Sequence, residues 1–241
     1  MNLEICVDNY ESFSTALKNG ADRIELCSSL REGGLTPSYA FMEAALKASQ
    51  PVFMMIRPRS CDFLYTDHEI EIMHRDIHAA KKLGATGVVF GVLTAEGNIN
   101  STVMKSLVKE ASGMDVTCHR AFDQVRDVFE ALNSLIELGV KRILTSGQAE
   151  NPYDGMYMLQ KIVSHARKRI LIMAAGVTPA SVQEIVIKAG VDEVHSAASM
   201  PRKSNMLYVK SDAQMGHGED FFMNVVNGEL VREIKVKMAG I

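Results

Sequence analysis

The chain has 241 residues, a formal net charge of −3, 47% hydrophobic residues and a mean hydropathy of +0.02. That apolar content excludes intrinsic disorder, no run approaches the roughly 18–20 apolar residues of a membrane span, and the absence of a Lys/Arg run argues against a nucleic-acid binder. The opening segment carries Glu4 and Asp8 where an export signal would be basic, so a cytoplasmic protein with reduced thiols at Cys6, Cys27, Cys61 and Cys118 is expected.

Predicted strands follow in order at Leu3–Val7, Arg23–Cys27, Val52–Arg57, Gly87–Leu93, Val116–Arg120, Arg142–Ser146, Ile170–Ala174 and Glu193–Ala197. Between them apolar spacing turns helical: Val125, Val128, Phe129, Leu132, Leu135 and Ile136 form one stripe, Ile70, Met73, Ile77 and Ala80 another. Thr36-Pro37, Asn151-Pro152 and Thr178-Pro179 each place an N-cap residue before a first-turn proline. Four segments beginning at Gly20, Gly84, Gly139 and Gly190 share one outline: glycine ends a helix and a strand follows within about three residues. They precede the second, fourth, sixth and eighth strands. Recurring βαβ units imply a parallel sheet, and eight in this length imply an α/β fold, a single (β/α)8 TIM-type barrel. A doubly wound open sheet would put a Gly-x-Gly-x-x-Gly after the first strand, where Cys6-Val7-Asp8-Asn9-Tyr10 has none. One domain is expected over residues 1–241, with barrel motifs over about 3–198 and a closing segment over about 199–241.

Side chains alternate faces along a strand, and the helix-facing side must be apolar. Leu3, Ile5 and Val7 then face the helices, leaving Glu4, Cys6 and Asp8 inside. The same parity turns Glu25 and Cys27, Phe53, Met55 and Arg57, Thr117 and His119, and Glu193 and His195 inward. The sixth and seventh strands give no clean alternation. Cys6, Glu25, Cys27, Arg57, His119 and His195 thus gather near the C-terminal mouth, where barrels place their chemistry. Singly, each has a structural explanation: a strand cysteine is ordinarily a small buried hydrophobe, and Glu4 or Glu25 can neutralise Arg23 or Arg57. Ala175-Gly176-Val177-Thr178-Pro179 resembles a phosphate-binding turn, or else a tight turn that requires glycine. The 15 methionines lack clustered Met-x-x-Met patterns and read as core filling.

Arg23-Ile24-Glu25-Leu26-Cys27, Glu32-Gly33-Gly34-Leu35-Thr36-Pro37-Ser38, Ile56-Arg57-Pro58-Arg59, His119-Arg120-Ala121-Phe122-Asp123, Leu144-Thr145-Ser146-Gly147-Gln148, Gly91-Val92-Leu93 and Glu193-Val194-His195 resemble the CutC family. The resemblance implies a barrel, a cytoplasmic location, a homo-oligomer (a dimer is favoured), and a role in copper homeostasis with Cys6 and Cys27 as Cu(I) ligands. Ser60-Cys61 stands where Gly-Gly is expected, Cys118 replaces an aromatic residue, and Ala174-Ala175-Gly176 replaces Gly-Ala-Gly. Cys61 and Cys118 inherit no role.

Two chemistries fit this mouth. Cu(I) is soft and accepts two thiolates, and adjacent parallel strands lie about 4.8 Å apart. Alternatively, an enzyme acts on a small anionic metabolite. Arg57 and Arg59 hold the anion, Glu25 is a general base, His119 a general acid or electrophile, His195 serves either role, and Asp123 joins them unless it only caps. Arg120, Ser146 and Gly176 are further expected substrate contacts. A variant sets a divalent metal between Glu25, His119 and His195. A non-catalytic partner-binding barrel is the third class.

Overall fold

Eight short parallel strands close on themselves in a computed structural model that describes residues 1–210, 212–213 and 220–241. They are β1 (Leu3–Val7), β2 (Arg23–Leu26), β3 (Val52–Met55), β4 (Gly87–Phe90), β5 (Asp115–Cys118), β6 (Arg142–Thr145), β7 (Leu171–Ala174) and β8 (Glu193–Ser196). Each pairs with the next, and β8 returns to β1. The helices between them are α1 (Tyr10–Lys18), α2 (Tyr39–Ala45), α3 (Asp67–Leu83), α4 (Ser101–Glu110), α5 (Val128–Glu137), α6 (Met156–Ala166) and α7 (Val182–Ala189). After the barrel, β9 (Ser199–Lys203) and β10 (Phe222–Val226) form an antiparallel ribbon, and α8 (Gly228–Ala239) packs against α7 and α1 to complete the ring. No helix among the described residues is long and apolar enough to cross a membrane.

The (β/α)8 expectation therefore holds, and so does the parity argument. Leu3, Ile5, Val7, Ile24, Leu26, Val52, Met54, Ile56, Val116, Cys118 and Val194 all join the core between strands and helices. The repeated glycines close their helices in the left-handed region, with φ of +98° at Gly20, +86° at Gly84, +75° at Gly139 and +71° at Gly190. The helix starts require correction. Caps are Ser38 for α2, Gly155 for α6 and Ser181 for α7, so all three prolines lie in preceding turns. Thr36 cannot cap because its backbone N–H bonds the Arg57 carbonyl and its hydroxyl accepts from Arg57 N–H. The Asn151 side chain closes its own turn on the N–H groups of Tyr153 and Asp154.

The lower barrel interior is charged. Arg23 donates to Glu4 at 2.5 Å and to Glu193 at 2.6 Å, and Arg142 reaches Glu193 and Asp115 at 3.1 Å. Both guanidinium groups lie over the Phe53 ring, Arg23 at 4.9 Å and Arg142 at 4.8 Å from its centroid. Gly87 makes room for that ring, since a Cβ there would stand 2.2 Å from Phe53 Cε1. This plug seals the barrel below the mouth.

Candidate active site at the barrel mouth

Strand register stacks the site on the plug. Glu4 of β1 lies opposite His195 of β8, and one layer higher Cys6 lies opposite Glu25 of β2. The Glu4 carboxylate accepts from Arg23 through one oxygen and meets His195 Nδ1 at 2.7 Å through the other. His195 Nε2 then faces upward, 4.0 Å from Glu25 Oε2. Burial works against the Glu4 charge, but Arg23 and His195 outweigh it and hold its pKa at about 2. Burial likewise opposes charge on His195, yet Cys6, Glu25 and Glu4 raise it well above the ordinary histidine value. Glu25 is different: burial dominates, the His195 charge opposes, Glu4 adds to the rise, and the group reaches about 7. One carboxylate is thus a fixed anion and the other is poised near neutrality.

The opposite wall comes from the ends of β3 and β5. Arg57 is 5% exposed and donates to the carbonyls of Glu32 (2.6 Å), Gly34 (3.0 Å) and Cys61 (2.9 Å). Its charge meets no carboxylate in an ion pair among the described residues. Left-handed Gly33 and Gly34 turn the loop carbonyls onto it, which gives the Glu32–Ser38 motif a physical meaning. The Phe63 ring packs against both the Arg57 guanidinium at 5.2 Å and the His119 ring at 4.8 Å. His119 Nδ1 accepts from Ala121 N–H, so its neutral ring carries the proton on Nε2. Burial and the Arg57 charge together push His119 down to about 3, so it serves as a neutral donor and not as an imidazolium acid. Gly91 is small because a Cβ would meet this ring at 3.0 Å.

Between these walls lies a cavity of about 410 Å³ lined by Cys6, Glu25, Arg57, His119 and His195 with Met55, Phe63 and Leu144, a size suited to a small metabolite. On the lining residues, Glu25 Oε1 and His119 Nε2 are buried without any hydrogen-bond partner, and Arg57 Nε also lacks one.

Several expected site residues lie elsewhere or are already engaged. Arg59 binds Glu69 at 2.6 Å, Asp62 at 3.1 Å and the carbonyls of Ser60 and Leu64, so its guanidinium holds its own loop. Asp123 borders the cavity, but its oxygens accept from Arg120, Thr145, the Ser146 hydroxyl and backbone, and Gln148 N–H. It pins β6 to the turn after β5 and has no free oxygen for catalysis. Ser146 is fully buried in that same network, whereas Arg120 stays partly exposed at the rim. Gly176 is exposed on the loop after β7, outside the cavity lining. Cys27 packs with Phe53, Met55 and Val89, its thiol 3.6 Å from Glu25 Oε2 and pushed well above its ordinary pKa by burial and Glu25. The donor set that converges among the described residues is Cys6, Glu25 and His195, within 4.8 Å of one another; His119 is not in it. The sequence reading left Glu4 as a neutraliser, yet it also orients His195. Its place opposite His195 becomes visible only once β8 pairs with β1.

Fold and site together define a (β/α)8 barrel with a cavity at its C-terminal mouth lined by both titratable and apolar side chains. The CutC family model matches residues 1–200, and the chain belongs to the CutC family. It is 46% identical to the family protein CutC of Vibrio vulnificus strain CMCP6 over 99% of this chain and 98% of that one. The CutC family protein of Photobacterium profundum is also 46% identical, over 97% of each chain. The crystal structure of CutC from Streptococcus agalactiae, whose name refers to copper homeostasis, superposes with a TM-score of 0.78 at 32% identity, covering 82% of this chain and 99% of that one.

Proposed function

We propose that the mouth is an enzyme active site that binds a small anionic carbonyl metabolite and moves a proton on it. The observation that carries this reading is a pair of buried, unpartnered atoms on residues that line one cavity, Glu25 Oε1 and His119 Nε2. Buried polar atoms are costly to leave unpaired, so such a pair marks the place of a ligand. Arg57 supplies the positive charge for the anion, and the neutral His119 Nε2–H donates to the carbonyl oxygen. Glu25, near neutrality, accepts a proton from the carbon beside that carbonyl. Met55, Phe63 and Leu144 exclude water from the reacting atoms.

The test uses pyruvate, 2-oxoglutarate and dihydroxyacetone phosphate as probes in thermal unfolding at pH 7. At least one is expected to raise the unfolding midpoint, with about 2.7 kcal/mol of stabilisation at a hundredfold excess over its Kd. His119→Phe should abolish the response. A chain that answers none of the probes, or a variant that answers as wild type does, overturns the reading.

Copper handling is the second reading, favoured by the convergence of Cys6, Glu25 and His195 with Cys27 directly behind Glu25. A soft thiol beside nitrogen and carboxylate donors suits a transition metal, and Cu(I) would draw on both thiols. In an anaerobic Cu(I) titration against a competing chelator, one ion per chain should bind and be lost in Cys6→Ser/Cys27→Ser. Cys61→Ser should change nothing. Binding that survives the double substitution removes copper from this site.

A further inference from the structure

The proton transfer proposed above uses one cavity, and a second adjoins it. This one, about 450 Å³, lies under the β9–β10 ribbon, and Cys6, Leu30 and Ala197 line both. Its polar side chains divide into two sets. Asp8, Asn9 and Ser12 are engaged in the fold: Asp8 accepts from Leu30 N–H and from the Asn9 amide, Asn9 caps α1 by accepting from Ser12 N–H, and the Ser12 hydroxyl accepts from Val226 N–H. The side chains of Ser29, Ser199 and Asn224 have no hydrogen-bond partner among the described residues. Arg31 reaches only the Phe222 carbonyl, at 3.3 Å. Arg31 and Asp8 are the charged residues of this lining among the described residues. Both Asp8 oxygens already accept from N–H groups, so the guanidinium is the charge open to a ligand. A guanidinium with two hydroxyls and an amide suits a phosphomonoester, whose three terminal oxygens are all strong acceptors, better than it suits a carboxylate with two.

We infer that the cavity under the ribbon binds a phosphoryl group, and that the substrate is a phosphorylated carbonyl compound lying across Cys6. Its carbonyl faces Glu25 and His119 in the first cavity, and its phosphate faces Arg31, Ser29, Ser199 and Asn224 in the second. Arg57 then stands at the reacting end and Arg31 at the far one. The substrate class rests on the reading of the mouth given above, whereas the phosphate contact stands on the second cavity alone.

Inorganic phosphate, titrated at pH 7 and followed by phosphorus NMR, probes the second cavity by itself. Arg31→Met should weaken its binding at least about tenfold, the effect of removing a hydrogen bond to a charged group. Asn224→Leu should weaken it less, and Arg75→Ala, which removes the same charge from α3, should bind as wild type does. Arg31 and Asn224 are exposed, so neither substitution opens the core. Dihydroxyacetone phosphate spans both cavities: wild type should bind it at least about tenfold more tightly than dihydroxyacetone, and Arg31→Met should lose that margin. A wild type that does not bind phosphate, or an Arg31→Met chain that binds it equally well, overturns the inference. Phosphate that depends on Arg31 while the phosphorylated ketone gains nothing over the free one overturns the two-cavity substrate. Phosphate that depends on Arg31 beside a phosphorylated ketone indifferent to His119→Phe upholds the phosphate site and overturns the reading of the mouth.

Discussion

Arg23→Met is expected to cost about 3–5 kcal/mol of stability at pH 7, the range typical when one partner of a buried ion pair is removed. Arg23 is 4% exposed and serves Glu4 and Glu193 together. Arg142 still reaches Glu193 at 3.1 Å, so the larger loss falls on Glu4, which keeps only His195. The pH dependence follows from the sign of the Glu4 shift. Its folded value of about 2 lies below the ordinary 4.5, so its pairing adds stability above 4.5 that is lost as pH falls towards 2. The deficit of Arg23→Met should therefore narrow across that window, as measured by urea midpoints at successive pH values. Arg75→Ala, which removes an exposed pair with Glu71 on α3, should change stability by no more than about 0.5 kcal/mol. Equal losses in the two variants would mean that the interior network contributes no more than a surface pair.

Much of this barrel is legible in the chain, for identifiable reasons. Strands such as β1 and β3 interleave an outward apolar series with polar or bulky inward residues, so parity alone turns Glu4, Cys6 and Arg57 inward. The seventh strand resists that reading because both of its faces are apolar, and the sixth because its inner face joins Arg142 to the apolar Leu144. Ile143, Ile172 and Ala174 face the helices while Leu144, Met173 and Ala175 face the interior. Residue type places Arg59 and Asp123 in the site; local partners engage both, and Asp123 borders the cavity. Glu69 serves both the Thr66 cap of α3 and the Arg59 guanidinium, a double use that no spacing rule reveals. Asp123 ties two loops together, a role its position at a helix start does not reveal. The direction of the His119 shift is equally hidden, since it depends first on how fully the ring is buried and then on Arg57 from another strand end.

Glu25→Gln is expected to stabilise the protein at pH 8 while removing proton transfer at the mouth. The carboxyl is 3% exposed, and burial is the main reason its pKa is raised from 4.5 to about 7. Between those values the folded chain holds a proton that the unfolded chain has released. The contribution of Glu25 is thus complete below 4.5 and declines as pH rises through 7. At 1.36 kcal/mol per pKa unit the decline is on the order of 3 kcal/mol, moderated by the charge on His195. His195 acts in the same direction over a higher window, because its raised value begins to matter above 6.5. The substitution therefore isolates the lower window. Urea midpoints of wild type should fall from pH 5 to pH 7, those of Glu25→Gln should stay nearly level there, and both should fall further above it. Parallel profiles would place Glu25 in its ionised form throughout and take away its role as a base tuned to neutral pH. A destabilised variant at pH 8 would mean that the Glu25 charge chiefly serves to hold His195 in place. The predicted pattern instead makes the buried carboxylate a cost to the fold that persists because of its position facing the cavity.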